Sequence, residues 1–247
     1  MKKKILFLVV IAVMSCKDKP KETQNEMKEE RETQIEDNNE WTVLFDGSSF
    51  DGWHFYRGGA VAEPWKLENG AMVFHPPENR PKGESYNIVT DKEYKNFVLR
   101  LEWKISEGGN SGIFWGVNES EEFGQPYETG PEIQVLDDEK HPDAKNGTTH
   151  QAGALYDMVA PSEKAVKSVG EWNMVELMVN HGENKGIVIL NDKKIAEFPV
   201  NGPEWDKMVA DSKFADWDGF GIYKTGKIGL QDHGDIVAFR NIKIKEL

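Results

Sequence analysis

Cysteine is almost missing from this 247-residue chain: Cys16 is the single one, so no intramolecular disulfide can form. Basic residues are also few, with 30 Lys and Arg against 43 Asp and Glu and a formal net charge of −13. This shortage argues against nucleic acid as a partner, because binding it depends on cations that neutralise phosphates. A sugar or another neutral solute fits the composition better.

Long apolar runs are missing too. The longest lies at residues 5–14, after three lysines at 2–4, and is too short to span a bilayer as a helix. A small residue precedes Cys16, as in a bacterial lipobox. The sequence therefore predicts a lipoprotein signal peptide at residues 1–15, with a diacylglyceryl group on Cys16. An ordinary secretory signal with an unrelated cysteine is the alternative.

The lipoprotein interpretation predicts a location in the bacterial cell envelope, on the periplasmic or cell-surface face of a membrane, with attachment through the lipid alone. Residues 16–40 are charged and polar, and they cannot bury enough surface to offset the entropy of ordering. They are interpreted as a flexible tether. Residues 41–247 have the length of one β-sandwich or barrel domain and show no internal repeat.

Convincing helical periodicity is scarce in the folded part, where residues 204–213 are the best candidate for a short helix. Period-two alternation is common instead, and turn residues such as Asn69-Gly70 separate the alternating segments. The pattern predicts an all-β fold, a jelly-roll sandwich of two antiparallel sheets. The predicted strands are 71–75, 97–106, 111–117, 132–136, 172–180, 186–190, 194–198, 227–232 and 238–244.

Several strands carry polar side chains on one face. In residues 130–137, strand alternation puts Glu132 and Gln134 on the same face. A strand that only fills a core would not normally place an acid and an amide together, because each would need a buried partner. Stacked in one sheet, such faces would line a polar groove. The other contributors are Arg100, Glu102 and Lys104 in residues 98–105, and Gln231 and His233 in residues 228–233.

Acids and histidines near the predicted strand 132–136 have the types needed for acid and base chemistry or for one divalent metal. The metal candidates are Glu132, Asp137 and His141, although their spacing is not a diagnostic metal motif. His141 and His150 flank a loop rich in turn residues, and the competing interpretation is two surface-loop histidines. Three other candidates also have a structural alternative to their functional role. Asp137 could cap the loop, Trp115 could simply pack against other side chains, and His233 could be held by structural hydrogen bonds.

A series of motifs in one order resembles the 3-keto-disaccharide hydrolase family, which is common among bacterial lipoproteins. The resemblance runs from residue 41 to residue 247. Its motifs are Leu44-Phe45-Asp46-Gly47, Gly52-Trp53, Asn110-Ser111-Gly112-Ile113-Phe114, Glu132-Ile133-Gln134-Val135-Leu136-Asp137, His141-Pro142-Asp143-Ala144, Gly153-Ala154-Leu155-Tyr156-Asp157, Glu171-Trp172-Asn173, Gly229-Leu230-Gln231-Asp232-His233-Gly234 and Phe239-Arg240-Asn241-Ile242.

The resemblance implies a concanavalin A-like jelly roll and cleavage of glycosides already oxidised at C3 of the sugar. Such a ketone acidifies the C2 hydrogen, so a base can remove it, the C1 oxygen can leave, and water can then add. Glu132 or His150 is the expected base, with Glu102 as a further catalytic candidate. The expected substrate-binding residues are Gln134, Asn110, Trp115, Tyr156, Lys224, Gln231 and His233.

A glycoside 3-oxidoreductase acting upstream is an expected partner. Two other functions stay open at this point. The chain could be a conventional glycoside hydrolase or lyase acting on an unoxidised glycan, or a carbohydrate-binding lipoprotein without turnover, because jelly rolls serve both purposes.

Overall fold

A computed structural model describes residues 40–247. Thirteen β-strands, one α-helix and short 3-10 turns make up this part of the chain. The elements are β1 (Thr42–Phe45), β2 (Trp53–Phe55), β3 (Trp65–Glu68), β4 (Ala71–Phe74), β5 (Ile88–Thr90), β6 (Phe97–Ile105), β7 (Asn110–Val117), β8 (Glu132–Leu136), β9 (Asn173–Asn180), β10 (Lys185–Leu190), β11 (Lys193–Phe198), α1 (Gly202–Ala210), β12 (Lys227–Leu230) and β13 (Val237–Glu246), with 3-10 turns at Pro126–Glu128, Pro142–Asn146 and Thr148–His150.

The strands form two antiparallel sheets. The larger sheet has the order β11-β10-β9-β6-β13-β4-β3, with β1 also paired to β13, and the smaller has the order β2-β5-β12-β7-β8. Some neighbours are consecutive hairpin strands, such as β7 and β8, whereas others are distant in sequence, as when β12 pairs with both β5 and β7. This two-sheet arrangement is the predicted concanavalin A-like jelly roll, so the predicted fold class is confirmed.

The core lies between the sheets and follows from strand alternation. On β6, Leu99, Leu101 and Trp103 are buried, while Arg100 and Glu102 face the other way. Burial of one such apolar side chain contributes about 1.5–3 kcal/mol to stability. The alternation of the sequence therefore assigns the core face of this strand correctly.

The predicted strands match observed strands within a few residues at each end, whereas four short strands were missed. β1, β2, β3 and β5 contain only three or four residues each, which is too few for a period to stand out. They form because neighbouring strands of the two sheets offer them hydrogen-bonding edges. The predicted helix exists, but it spans Gly202–Ala210, and Lys213 lies in the loop beyond it.

One predicted juxtaposition is wrong. β6 belongs to the larger sheet, whereas β8 and β12 belong to the smaller one, so the polar face of residues 98–105 does not share a groove with Glu132. That face is covered by ion pairs of the larger sheet. Glu102 accepts hydrogen bonds from Arg240 (2.9 and 2.6 Å) and from Asn241 (2.7 Å).

The predicted signal peptide, the lipidated Cys16 and nearly all of the predicted tether lie outside the described residues. Within residues 40–247, no helix has the length and apolar character needed to cross a bilayer.

Candidate active site

A pocket of about 260 Å³ opens on the face of the smaller sheet that points away from the core. It lies over β7, β8 and the residues that follow β12. One wall is polar and the opposite wall is aromatic. The lining residues are Asn110, Tyr127, Gly130, Glu132, Gln134, Tyr156, Lys213, Phe214, Trp217, Phe220, Gln231 and His233.

Glu132 lies at the floor of the pocket and is only 8% exposed. The neighbouring strand makes room for it at Gly112, where an added Cβ would overlap the Glu132 carboxyl. Burial raises the pKa of Glu132 to about 8; the Lys213 ammonium opposes this effect and Asp143 adds to it. The carboxyl therefore exchanges its proton near neutral pH, which suits a group that must both take and return a proton.

Amide side chains supply the rest of the polar wall. Gln134 is two residues from Glu132 on β8 and shares its face. Asn110 Oδ1 and Gln231 Oε1 are buried and have no hydrogen-bond partner within residues 40–247. A buried polar atom without a partner costs about 1–3 kcal/mol. Because both residues line the pocket, their amide groups are candidates for binding ligand hydroxyls.

The chain after β8 returns beside it and brings Tyr156 to the pocket, where the Tyr156 amide donates to the Glu132 carbonyl (3.0 Å). The Tyr156 hydroxyl donates to Asp143 (2.8 Å). Burial and this hydrogen bond raise the pKa of Tyr156. Burial would raise the pKa of Asp143, but hydrogen bonds from Tyr156, Asn146 and His150 outweigh it and lower that pKa. Asp143 is therefore a stable anion behind the pocket wall.

His150 lies behind the same wall, not in the pocket lining. Its Nδ1 is 3.1 Å from Asp143 Oδ1, its Nε2 is 3.1 Å from Asp157 Oδ1, and its ring packs edge-on against Tyr156 at 4.8 Å between centroids. With both ring nitrogens held by carboxylates, His150 is placed to position Asp143 and Tyr156 and has no free nitrogen directed at a substrate.

Lys213 enters the pocket from the loop after α1. Its backbone amide donates to Asp157 Oδ2 (2.7 Å), and its ammonium lies 4.0 Å from the centroid of the Tyr156 ring. This cation–π contact holds the charge beside the pocket floor. Sequence reasoning missed Lys213 because it treated the residue as the end of a helix.

Three aromatic residues of the same loop form the opposite wall. Phe214 and Phe220 stack at 3.8 Å, Trp217 packs edge-on against Phe214 at 5.1 Å, and Tyr127 lies 6.0 Å from Trp217. The sequence does carry a signal for this wall, since aromatics recur every third residue from Phe214 to Phe220 in a segment without strand alternation.

The residues that could bind a metal in the structure differ from the predicted set. One ligand atom from each of His141, His233 and Asp235 lies within 4.8 Å of the others, and this group shares only His141 with the predicted Glu132, Asp137 and His141. Asp137 instead accepts backbone hydrogen bonds from Gly108, Glu139 and Lys140, so it caps the loop. Two imidazoles and a carboxylate are suitable ligands for a divalent transition metal.

Three other predicted residues lie away from the pocket. Trp115 is buried in the core, where it stacks on Phe198 at 6.0 Å. Lys224 is exposed and does not line the pocket. Glu102 is on the larger sheet, as described above. The pocket does contain Glu132, Gln134, Asn110, Tyr156, Gln231 and His233, so the structure brings these six predicted residues together.

A jelly roll with a buried, proton-exchanging carboxyl beside amide groups and an aromatic wall defines a carbohydrate-active enzyme, a glycoside hydrolase or lyase. Residues 40–245 match the model of one such family, the 3-keto-alpha-glucoside-1,2-lyase-like domain. The chain belongs to this family, and the resemblance seen in the sequence is confirmed.

Relatives agree with this assignment. A protein from Bacteroides thetaiotaomicron named 3-keto-disaccharide hydrolase is 36% identical over 231 residues, which cover 84% of this chain and 78% of the relative. A crystal structure from Parabacteroides distasonis, provisionally described as a glycosyl hydrolase, is 34% identical with a TM-score of 0.77 and covers 87% of this chain and 96% of its own. A second structure from that organism, with the same description, is 29% identical with a TM-score of 0.63 and covers 85% and 100%.

Proposed function

We propose that the chain cleaves 3-keto-glycosides, including 3-keto-disaccharides, by removing the C2 proton and expelling the C1 oxygen. The observation that carries the proposal is the buried Glu132 carboxyl, whose pKa is raised to about 8, in one pocket with the Lys213 ammonium. A base of this pKa and a cation for the developing negative charge are the two groups that enolate chemistry requires.

The reaction begins when the Glu132 carboxylate takes the C2 proton, and the C2–H electron pair forms an enolate with the C3 carbonyl. The enolate then expels the C1 oxygen, which takes a proton from water, and a double bond forms between C1 and C2. The hydroxide left by that water adds to C1 of this enone and Glu132 returns its proton to C2, which yields a free 3-keto sugar. If the product leaves before water adds, the same site acts as a lyase.

Each polar group has a place in this sequence. Glu132 takes the C2 proton and can give it back, because its pKa lies near the working pH. Lys213 offsets the charge on the enolate oxygen, and His150 positions the anionic Asp143 behind Tyr156. The substrate hydroxyls are expected to bind Asn110, Gln134, Gln231 and His233.

A conventional glycosidase is the second candidate, and the set of acids in the pocket argues against it. Such an enzyme uses two carboxyl groups on either side of the scissile bond, about 5–9.5 Å apart. Within the described residues, Glu132 is the only acid that lines this pocket. A single carboxyl beside a lysine fits enolate chemistry better.

The test uses one glycoside in its 3-keto and unoxidised forms. The 3-keto form should be cleaved and the unoxidised form should be inert, because only the ketone makes the C2 hydrogen acidic. Deuterium at C2 of the 3-keto substrate should slow the reaction or exchange into water. Rapid cleavage of the unoxidised glycoside with C2 deuterium retained would replace this mechanism with that of a conventional glycosidase.

The protein is also proposed to bind one divalent metal ion, with His141, His233 and Asp235 as its ligands. After chelator treatment and dialysis, addition of Zn²⁺ or Mn²⁺ should raise the melting temperature of the wild-type protein, because an ion that binds only the native state stabilises it. The variant Asp235→Asn should lose this response. An equal response in both proteins would remove the site.

The cellular setting is also proposed. A lipid on Cys16 would hold the enzyme in the cell envelope, where a glycoside 3-oxidoreductase would supply its substrate.

A further inference from the structure

The exposure of the pocket residues, together with the proposed role of Glu132 as the C2 base, indicates how a glycoside would be oriented. Glu132 and Gln134 at the floor are 8% and 2% exposed, whereas Tyr127 at the rim is 37% exposed and Trp217 beside it is half-buried. The sugar that loses its C2 proton must lie against Glu132. The group attached to its C1 oxygen is then directed toward the mouth.

The volume of the pocket limits what it can enclose. Its 260 Å³ lies below the range of about 300–1,000 Å³ that is usual for pockets enclosing drug-sized ligands. The enclosed space is therefore suited to one sugar ring, and a second ring is expected at the rim.

The rim is built from two segments that are fixed to each other. Tyr127 belongs to the 3-10 turn Pro126–Glu128, and Trp217 belongs to the loop after α1. The Gly221 amide donates to the Thr129 carbonyl (2.8 Å), which ties the loop to the turn. The two rings lie 6.0 Å apart at 46°, so together they present a preformed aromatic corner.

The rim is acidic beside Trp217, whereas Arg80 and Lys82 line the recess next to Tyr127. Glu128 is close enough to raise the pKa of Tyr127, an effect in which burial is the largest cause, and the exposed Asp216 and Asp218 flank Trp217 in the chain. A carboxylate or phosphate on the Trp217 side of the leaving group would lie near these acids. A neutral ring with a flat apolar face would meet the aromatic corner instead.

We propose that Tyr127 and Trp217 form an aglycone subsite that selects glycosides with a neutral, flat aryl leaving group. This inference rests on the proposed function, because that function places the scissile bond between the floor and the rim. Contact with aromatic rings adds binding energy without touching the reacting atoms, so the subsite should act mainly through KM.

The first test measures the preference of the enzyme, defined as the ratio of kcat/KM for phenyl to that for methyl 3-keto-glucoside. Trp217→Leu and Tyr127→Leu should each lower this ratio about threefold to tenfold, as expected for the loss of one aromatic contact. Trp217→Phe should keep most of the preference. Trp172→Leu removes a tryptophan next to Arg240 on the other sheet and should leave the ratio unchanged.

A second test does not depend on turnover. In the Glu132→Gln background, calorimetric titration should show phenyl 3-keto-glucoside binding about threefold to tenfold more tightly than the methyl glycoside, and Trp217→Leu should remove the difference. Tighter binding of a para-carboxyphenyl glycoside than of the phenyl glycoside would contradict the selection against anions.

The two proposals fail in different ways. Equal affinities for phenyl and methyl glycosides, or a Trp172→Leu effect as large as that of Trp217→Leu, would overturn the subsite even if the enzyme cleaves 3-keto-glycosides. Selective phenyl binding without any cleavage by the wild-type protein would keep the subsite and remove the proposed function.

Discussion

Replacing Glu132 by Gln should make the protein more stable while it removes the proposed base. Burial raises the pKa of Glu132 from its ordinary 4.5 to about 8. Because the folded-state pKa is the higher one, the contribution of this group to stability is complete below pH 4.5 and is lost as the pH rises toward 8. Glutamine does not titrate, so the variant avoids this loss.

The magnitude follows from the pKa difference. At about 1.4 kcal/mol per pH unit, the raised pKa costs about 3 kcal/mol of stability at pH 7, where the buried carboxyl is still mostly protonated, and about 5 kcal/mol at most at pH 9, where it is ionised. For a domain of this size, 3 kcal/mol corresponds to a rise in melting temperature of about 6–12 °C. The pocket thus holds its acid at a cost in stability, as functional sites commonly do.

The assay is urea denaturation of wild type and Glu132→Gln at pH 5, 7 and 9. The free energy difference should grow with pH in favour of the variant. Glu102→Gln is a matched control: burial opposes the shift, but hydrogen bonds from Asn241 and Arg240 lower the pKa of Glu102, so its contribution is present above pH 4.5 and lost in acid. Glu102→Gln should therefore be less stable than wild type by the same amount at pH 5, 7 and 9. A difference between wild type and Glu132→Gln that stays flat from pH 5 to 9 would refute the buried-carboxyl argument.

Four further predictions follow from the same residues and from the amino terminus. Activity on 3-keto substrates should rise with pH with an apparent pKa near 8, and Glu132→Gln should lower kcat/KM by about a hundredfold or more without loss of the far-UV circular dichroism spectrum. Gly112→Ala should also impair kcat, because its methyl group would displace the Glu132 carboxyl, whereas Gly59→Ala, in open space, should not. His150→Gln should reduce kcat by about tenfold and leave KM nearly unchanged, as expected for a residue that positions others; a matching rise in KM would contradict that role. Cys16→Ala should move the protein from the membrane to the soluble fraction, and retention at the membrane would place the anchor elsewhere.

The sequence by itself determined the class of fold and the central part of the site. Alternation assigned the core face of β6 and β8, because a strand turns successive side chains to opposite faces whatever lies around it. The same rule put Glu132 and Gln134 together on a polar face. The motifs then identified the family, and they include the pocket residues Asn110, Tyr156 and Gln231.

Only the tertiary structure decided which polar faces meet. β6 and β8 show equally clear polar faces, yet pairing places them in different sheets, so Glu102 is a surface ion-pair partner and Glu132 is a buried acid. Lys213 and Trp217 reach the pocket from a loop about 80 residues beyond β8. Local periodicity predicts which way a side chain faces along its own strand. The burial of that side chain, its pKa and the approach of distant loops depend on long-range packing, which a local pattern does not predict.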